Sequence, residues 1–151
     1  MKHLPKLPEV PSFDLTGKKA LVVGASSGIG LSSACALAAH GAIVTIAARR
    51  TNELKNICEQ MSEKGWETNY LEMDIAKVEE TISLVNKNGP FDILVNSAGL
   101  ARHSPMIETT VEDFDQVMAV NVRGAYFLSQ AVATGMLNSG KEGSIINISS
   151  Q

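Results

Sequence analysis

The sequence predicts an α/β fold in which a parallel sheet is wound with helices on both faces, and three observations predict it. Five strand-like runs, all but the third largely apolar, alternate with helix-like segments. Runs of that kind suit strands buried on both faces, which a parallel sheet covered by crossover helices provides. The first run leads straight into a glycine-rich turn, "GASSGIG", that opens the first helix. Finally, 151 residues at 44% hydrophobic content are enough for one domain with a substantial core.

The elements follow in order. Residues 1–14 form an N-terminal extension in which Pro5, Pro8 and Pro11 enforce an extended arm, and it lacks the apolar stretch of a signal peptide. Residues 15–151 are expected to belong to a single domain, since no linker divides them. "KKALVVGA" is the first strand, and "GLSSACALAAHG" is an alanine-rich helix stopped at Gly41. "AIVTIAAR" is the second strand; Asn52 to Lys64 is helical, with Gly65 behind it, and "ETNYLEMD" is the third strand. Ala76 to Lys87 forms the next helix, closed by "NGP", and "FDILVNSAG" is the fourth strand. A long helix then spans residues 108–140, with Thr110 and Asp113 at its start spaced almost as a capping box. "GSIINISS" is the fifth strand. With right-handed crossovers this is the first five β/α units of a Rossmann-type doubly wound sheet.

A formal net charge of −3 argues against nucleic acid or an anionic membrane as partner and favours a small molecule. No apolar run reaches the roughly 18 residues of a membrane span, so a cytoplasmic location is expected. Cys35 and Cys58 lack CxxC spacing and fall in helical segments, so they are expected as packing thiols. His3, His40 and His103 are scattered, and no metal site is expected. Glu79 with Glu80, and Glu112, Asp113 and Asp115, are expected on solvated helix faces.

The chemistry begins at the first turn, where Gly24, Gly28 and Gly30 are spaced G-x-x-x-G-x-G and enclose Ser26, Ser27 and Ile29. Gly24 allows a tight exit from the strand, Gly28 lets backbone approach a pyrophosphate, and Gly30 permits close helix packing. A phosphate there would meet the free N–H groups and positive end of the helix. Asn121 shares a helical face with Val117, Met118, Ala125 and Leu128, which predicts a polar amide on a buried stripe. Ser149 and Ser150 point to opposite faces if the strand persists to its end, so only one can face a given site.

Four motifs, in order and each at the end of an element, resemble the short-chain dehydrogenase/reductase family from about Asp14 to Gln151. "VGASSGIG" resembles its cofactor loop, with Val23 where threonine is common. "DILVNSAG" resembles its N-N-A-G segment, matching at Asn96, Ala98 and Gly99 and carrying Ser97 for the second asparagine. "MAVNVRGAYFLSQ" matches Asn121 to the family's catalytic asparagine, and "SIINISS" matches Ser150 to its catalytic serine.

The resemblance implies hydride transfer between a nicotinamide cofactor and a carbonyl or alcohol substrate, with Ser150 stabilising the oxygen that gains charge. At the end of the second strand, where an NAD-preferring site presents a carboxylate, stands Ala48 followed by Arg49 and Arg50. Arg49 fits a 2′-phosphate, which places NADP(H) ahead of NAD(H). Asp74 resembles the position that contacts adenine. The family's tyrosine, with a lysine four residues on, is not Tyr70 or Tyr126, which are followed at that distance by Asp74 and Gln130. The resemblance places that pair beyond Gln151, which implies that residues 15–151 are the N-terminal part of a single dinucleotide-binding Rossmann domain, that the 151 residues alone would lack the proton donor, and that the full-length enzyme is a homotetramer. Sugar ketones, steroids and 3-oxoacyl thioesters all stand as substrates. The rival reading is a nucleotide-binding module that senses NADP(H) without catalysis.

Overall fold

The computed structural model describes residues 11–149, which build one five-stranded parallel sheet in the order β3-β2-β1-β4-β5. In chain order the strands are β1 (Lys19–Val23), β2 (Ile43–Ala48), β3 (Thr68–Glu72), β4 (Ile93–Asn96) and β5 (Ser144–Asn147). The helices are α1 (Gly28–Ala39), α2 (Thr51–Glu63), α3 (Val78–Asn88), α4 (Val111–Met118) and α5 (Ala125–Asn138).

The central strands are apolar at nearly every position, with Lys19, Thr45 and Asn96 the exceptions, because alternate residues enter two different cores. Ala20 and Val22 of β1, with Val44 and Ile46 of β2, pack against α1 and α2 through Ala34, Ala38, Leu54, Cys58 and Met61. Leu21, Val23 and Leu94 pack on the other face against α3 and α5 through Val85, Leu128, Ala131, Val132 and Met136. α1 and α2 each bury one stripe at i, i+3 or i+4 spacing: Gly30, Ala34 and Ala38 in α1, and Leu54, Cys58 and Met61 in α2. Burying a leucine such as Leu54 or Leu128 contributes about 1.5–3 kcal/mol. Asp92, at the foot of β4, is also buried, and its carboxylate accepts the Lys19 amide at 2.8 Å and pairs with Lys141 at 3.4 Å.

Several expected boundaries move. The helix expected from Ala76 begins at Val78, because Asp74 Oδ1 accepts the Ala76 amide at 3.1 Å and its carbonyl accepts the Lys77 amide at 2.9 Å, turning the chain before the helix starts. The single helix expected over residues 108–140 is instead a 3-10 turn (Met106–Glu108), α4, a π-helical segment (Ala119–Gly124) and α5. Half of the expected capping box forms: Thr110 Oγ1 accepts the Asp113 amide at 3.1 Å and donates to the Asp113 carboxylate.

The outer strands differ from the expectation of burial on both faces. β3 is largely exposed, and β5 is exposed along its length, including Ile145 and Ile146. Each pairs on one side only among the described residues. β5 also ends at Asn147, with Ile148 adding one ladder bond to the Asn96 carbonyl at 2.9 Å.

Candidate functional site

The strand order reverses at β1, and the loops at the carboxyl ends of β1, β2, β3 and β4 enclose a cleft of about 390 Å³ there. A crevice at such a reversal is where doubly wound sheets bind ligands. Gly24, Ser26, Ser27 and Ile29 line it from the β1–α1 turn; Ala48, Arg49 and Arg50 from the end of β2; Asp74 from the end of β3; and Ala98 and Gly99 from the end of β4.

The glycine turn is shaped by close approach. Gly24 has φ +78°, and a Cβ there would stand 2.7 Å from the Ala98 nitrogen and from the Ser97 carbonyl carbon. The left-handed backbone and the crowding both exclude a side chain. Gly30 packs α1 against the turn itself, its absent Cβ facing the Gly24 carbonyl, which is a nearer neighbour than the sheet. Gly28, by contrast, has open space within 4 Å of its Cβ position.

Ser27 is the N-cap of α1 and its side chain makes no capping bond, while the first turn contains no acidic residue. The first amides of α1 are therefore left with positive character and no side-chain acceptor, a chemistry that suits an anion. Arg50 donates to Ser26 Oγ at 3.0 Å and pairs with Glu53 at 2.9 Å, tying the end of β2 to the glycine turn. Arg49 lines the cleft and is exposed, with no ion pair to another described residue.

Asn96 is buried and does not line the cleft; it reaches the cleft wall through Ala98, whose amide its Oδ1 accepts at 3.2 Å. Its Nδ2 donates to Asn147 Oδ1 on β5 at 3.1 Å. Asn147 in turn exchanges hydrogen bonds with Ser129 of α5, donating from Nδ2 at 3.3 Å.

Asn121 sits in the π-helical segment. It is exposed, which corrects the expectation of a buried stripe: of Val117, Met118, Ala125 and Leu128, only Leu128 is buried. The stripe already fails on α4, a regular helix that buries none of its residues, so among the described residues Val117 and Met118 have no core to enter. The Asn121 amide instead clamps Leu100 of the loop after β4, accepting the Leu100 amide and donating to the Leu100 carbonyl, both at 2.8 Å. Gly124 closes the same segment against the Ile75 carbonyl, leaving no room for a Cβ.

The structure thus brings Gly24, Ser26, Ser27, Ile29, Arg49, Arg50, Asp74, Ala98 and Gly99 to one cleft, with Gly28, Gly30, Asn96 and Asn121 shaping or bracing its walls. Ser150 lies outside the described residues. Sequence reasoning missed Met73, Ile75, Leu100 and Val120, which also line the cleft, and Asn147 and Ser129 behind it. The position of Met73 and Ile75 just past a strand end was a usable signal for those two; Leu100 and Ser129 carry no comparable mark. No cluster of three or more His, Cys, Asp or Glu able to hold a metal exists among the described residues, and none of their helices is long and apolar enough to cross a membrane.

The family described as "short chain dehydrogenase" matches residues 18–151. The chain is 37% identical over 142 residues to gluconate 5-dehydrogenase of Gluconobacter oxydans (strain 621H), covering 91% of the chain and 55% of that protein. It is 41% identical over 137 residues to L-xylulose reductase of Mesocricetus auratus, covering 91% and 54%. Among solved structures, a gluconate 5-dehydrogenase from Burkholderia cenocepacia J2315 in complex with NADP and tartrate superimposes with a TM-score of 0.85 at 33% identity, over 91% of this chain and 55% of that one. The chain therefore spans about half the length of the relatives it matches.

Proposed function

The chain belongs to the short-chain dehydrogenase/reductase family, and from that premise we propose that it carries the NADP(H)-binding half of an oxidoreductase interconverting a carbonyl and an alcohol. The observation that carries this reading is the cleft at the strand-order reversal, with an acid-free helix N-terminus on one wall and two arginines where an NAD-preferring site presents a carboxylate. Both features suit phosphates, and the open space over Gly28 lets one approach the backbone.

The residues divide the work along the cleft. Backbone amides from Ser26 to Gly30 would hold the pyrophosphate, Arg49 the 2′-phosphate with Arg50 beside it, and Asp74 the adenine side. Asn96, through Ala98, and Gly99 would border the nicotinamide side. When bound, the nicotinamide supplies or accepts the hydride. Ser150 would donate a hydrogen bond to the substrate oxygen as charge develops there, without giving up its proton, and Asn121 would keep the Leu100 loop in place beside it. A sugar-derived ketone or alcohol is the substrate class we favour, supported by the relatives named gluconate 5-dehydrogenase, L-xylulose reductase and D-erythrulose reductase.

For the full-length protein we propose a homotetramer. Phe114, Met118, Val122 and Tyr126 recur at i+4 spacing across α4, the π segment and α5 and are all exposed, which supports burial of this stripe on assembly.

The test is fluorescence titration of the full-length protein with NADPH and NADH, followed by turnover on a panel of keto sugars and polyols, with size-exclusion chromatography alongside. Micromolar binding of NADPH with reduction of at least one keto sugar is expected. Absence of NADPH binding at millimolar concentration would remove the proposal.

A further inference from the structure

We propose that Asn147 is a positioning residue that holds β5 in register with the cofactor cleft, acting through Asn96 on the Ala98 amide. The inference rests on the cleft being the NADP(H) site. Asn96 and Asn147 are directly paired in the parallel ladder of β4 and β5. Asn96 is 3% exposed, so its amide must find partners within the protein. It has two: Oδ1 accepts from Ala98 N at 3.2 Å, and Nδ2 donates to Asn147 Oδ1 at 3.1 Å. The second bond fixes the orientation of the side chain, and orientation decides whether the oxygen or the NH₂ faces Ala98. Only the oxygen can accept the Ala98 amide.

Ala98 has little freedom to respond. Its nitrogen lies 2.7 Å from the position a Gly24 Cβ would occupy, so the loop is already packed against the glycine turn. A displacement at Ala98 is therefore passed to the turn that would cradle the pyrophosphate. On the other side, Asn147 Nδ2 donates to Ser129 Oγ at 3.3 Å, which ties the arrangement to α5. The result is a path of hydrogen bonds from α5 through β5 and β4 to the cleft wall.

The competing account is that the two asparagines only strengthen strand pairing. Three variants of the full-length protein separate the accounts. Asn147→Leu removes the acceptor and orphans the Asn96 donor. Asn147→Asp keeps an acceptor for Asn96, and Asn147→Ser is too short to reach it while being small enough to fold. Hydrogen exchange at the Ala98 amide, measured without cofactor, and the Kd for NADPH are read for each.

Leu and Ser are expected to speed Ala98 exchange and weaken NADPH by about 3- to 10-fold, the loss of one hydrogen bond. Asp is expected to restore both. In a double-mutant cycle, Asn96→Ala should abolish any further effect of Asn147→Leu. Wild-type exchange and affinity in Leu and Ser, equal damage in Asp, or additive losses in the cycle would each overturn the inference. A wild-type protein that fails to bind NADPH would instead remove the proposed function, and the exchange rates alone would then decide the role of Asn147.

Discussion

Asn121 holds Leu100 by both of its peptide groups, with the two hydrogen bonds equal at 2.8 Å. A side-chain amide on a π turn thus substitutes for a strand partner where the chain has left β4. Asn121→Ala opens both bonds. Because the site is exposed, water replaces them, and the global stability loss is expected at the low end of about 0.5–1.5 kcal/mol per bond. The local effect is larger: exchange of the Leu100 amide should rise about tenfold, and turnover should fall more than NADPH affinity. Asn121→Asp keeps the acceptor and should protect the Leu100 amide. Exchange at Leu100 unaffected by either change would show that the clamp does not order the loop.

Arg49 and Arg50 are adjacent but are expected to differ. Arg50 is already engaged by Ser26 and Glu53, whereas Arg49 lines the cleft without an ionic partner among the described residues. Arg49→Ala should weaken NADPH about 10- to 100-fold and leave NADH nearly unchanged, as for one charge-assisted hydrogen bond. Arg50→Ala should loosen the glycine turn and weaken both nucleotides alike. Calorimetric titration with each nucleotide decides, and equal losses of both nucleotides in Arg49→Ala would take the phosphate away from that residue.

Gly24 and Gly65 have almost the same backbone, with φ +78° and +79°, but only Gly24 is crowded. Alanine at Gly65 should therefore cost backbone strain alone, about 1 kcal/mol. Gly24→Ala adds a contact at 2.7 Å with the Ala98 nitrogen and should cost several-fold more while weakening NADPH. Urea unfolding of the two variants provides the comparison, and similar midpoints would mean that the β1–α1 turn has room to give way.

Burial pushes the Cys58 thiol above its ordinary value, against a smaller lowering by its hydrogen bond with Thr68. The unfolded thiol ionises near about 8.5, so above that pH the native chain retains a proton that the unfolded chain has lost. Stability contributed by the buried neutral thiol is therefore complete below about 8.5 and declines as pH rises beyond it. Cys58 should also resist iodoacetamide while the half-buried Cys35 is alkylated first. Peptide mapping after brief alkylation at pH 8 checks the order of reaction.

The parts of the fold that were legible in the sequence are those governed by local rules. β1, β2 and β4 announce themselves because alternate residues enter two apolar cores, and the helices between them end at Gly41 and near Gly65. The cleft followed from the position of Gly24, Gly28 and Gly30 after a strand. What escaped detection depends on partners distant in sequence. Apolar "SIIN" predicts burial, but an outer strand packs according to its neighbours, and Ile146 is 47% exposed. Helical periodicity marked Val117, Met118 and Asn121 as one buried face, but α4 buries no residue, so among the described residues that face has no core to enter. Asn147 gains its meaning only from Asn96, to which the sheet alone brings it close.

The reversal of strand order at β1 also has a consequence in time. Lys19 meets Ile43 early in synthesis, but the other side of β1 waits for β4, and 73 residues separate Lys19 from Asp92, whose carboxylate takes its amide. A ribosome adding about 5–20 residues per second needs roughly 4 to 15 s for that stretch. From the completion of β2 to the arrival of β4, the apolar segment Ala20–Val23 has one row of backbone groups unpaired, open to any passing strand. Slower translation between Val23 and Asn96 is therefore expected to lower the yield of native protein, because it lengthens the wait of β1 for its second neighbour.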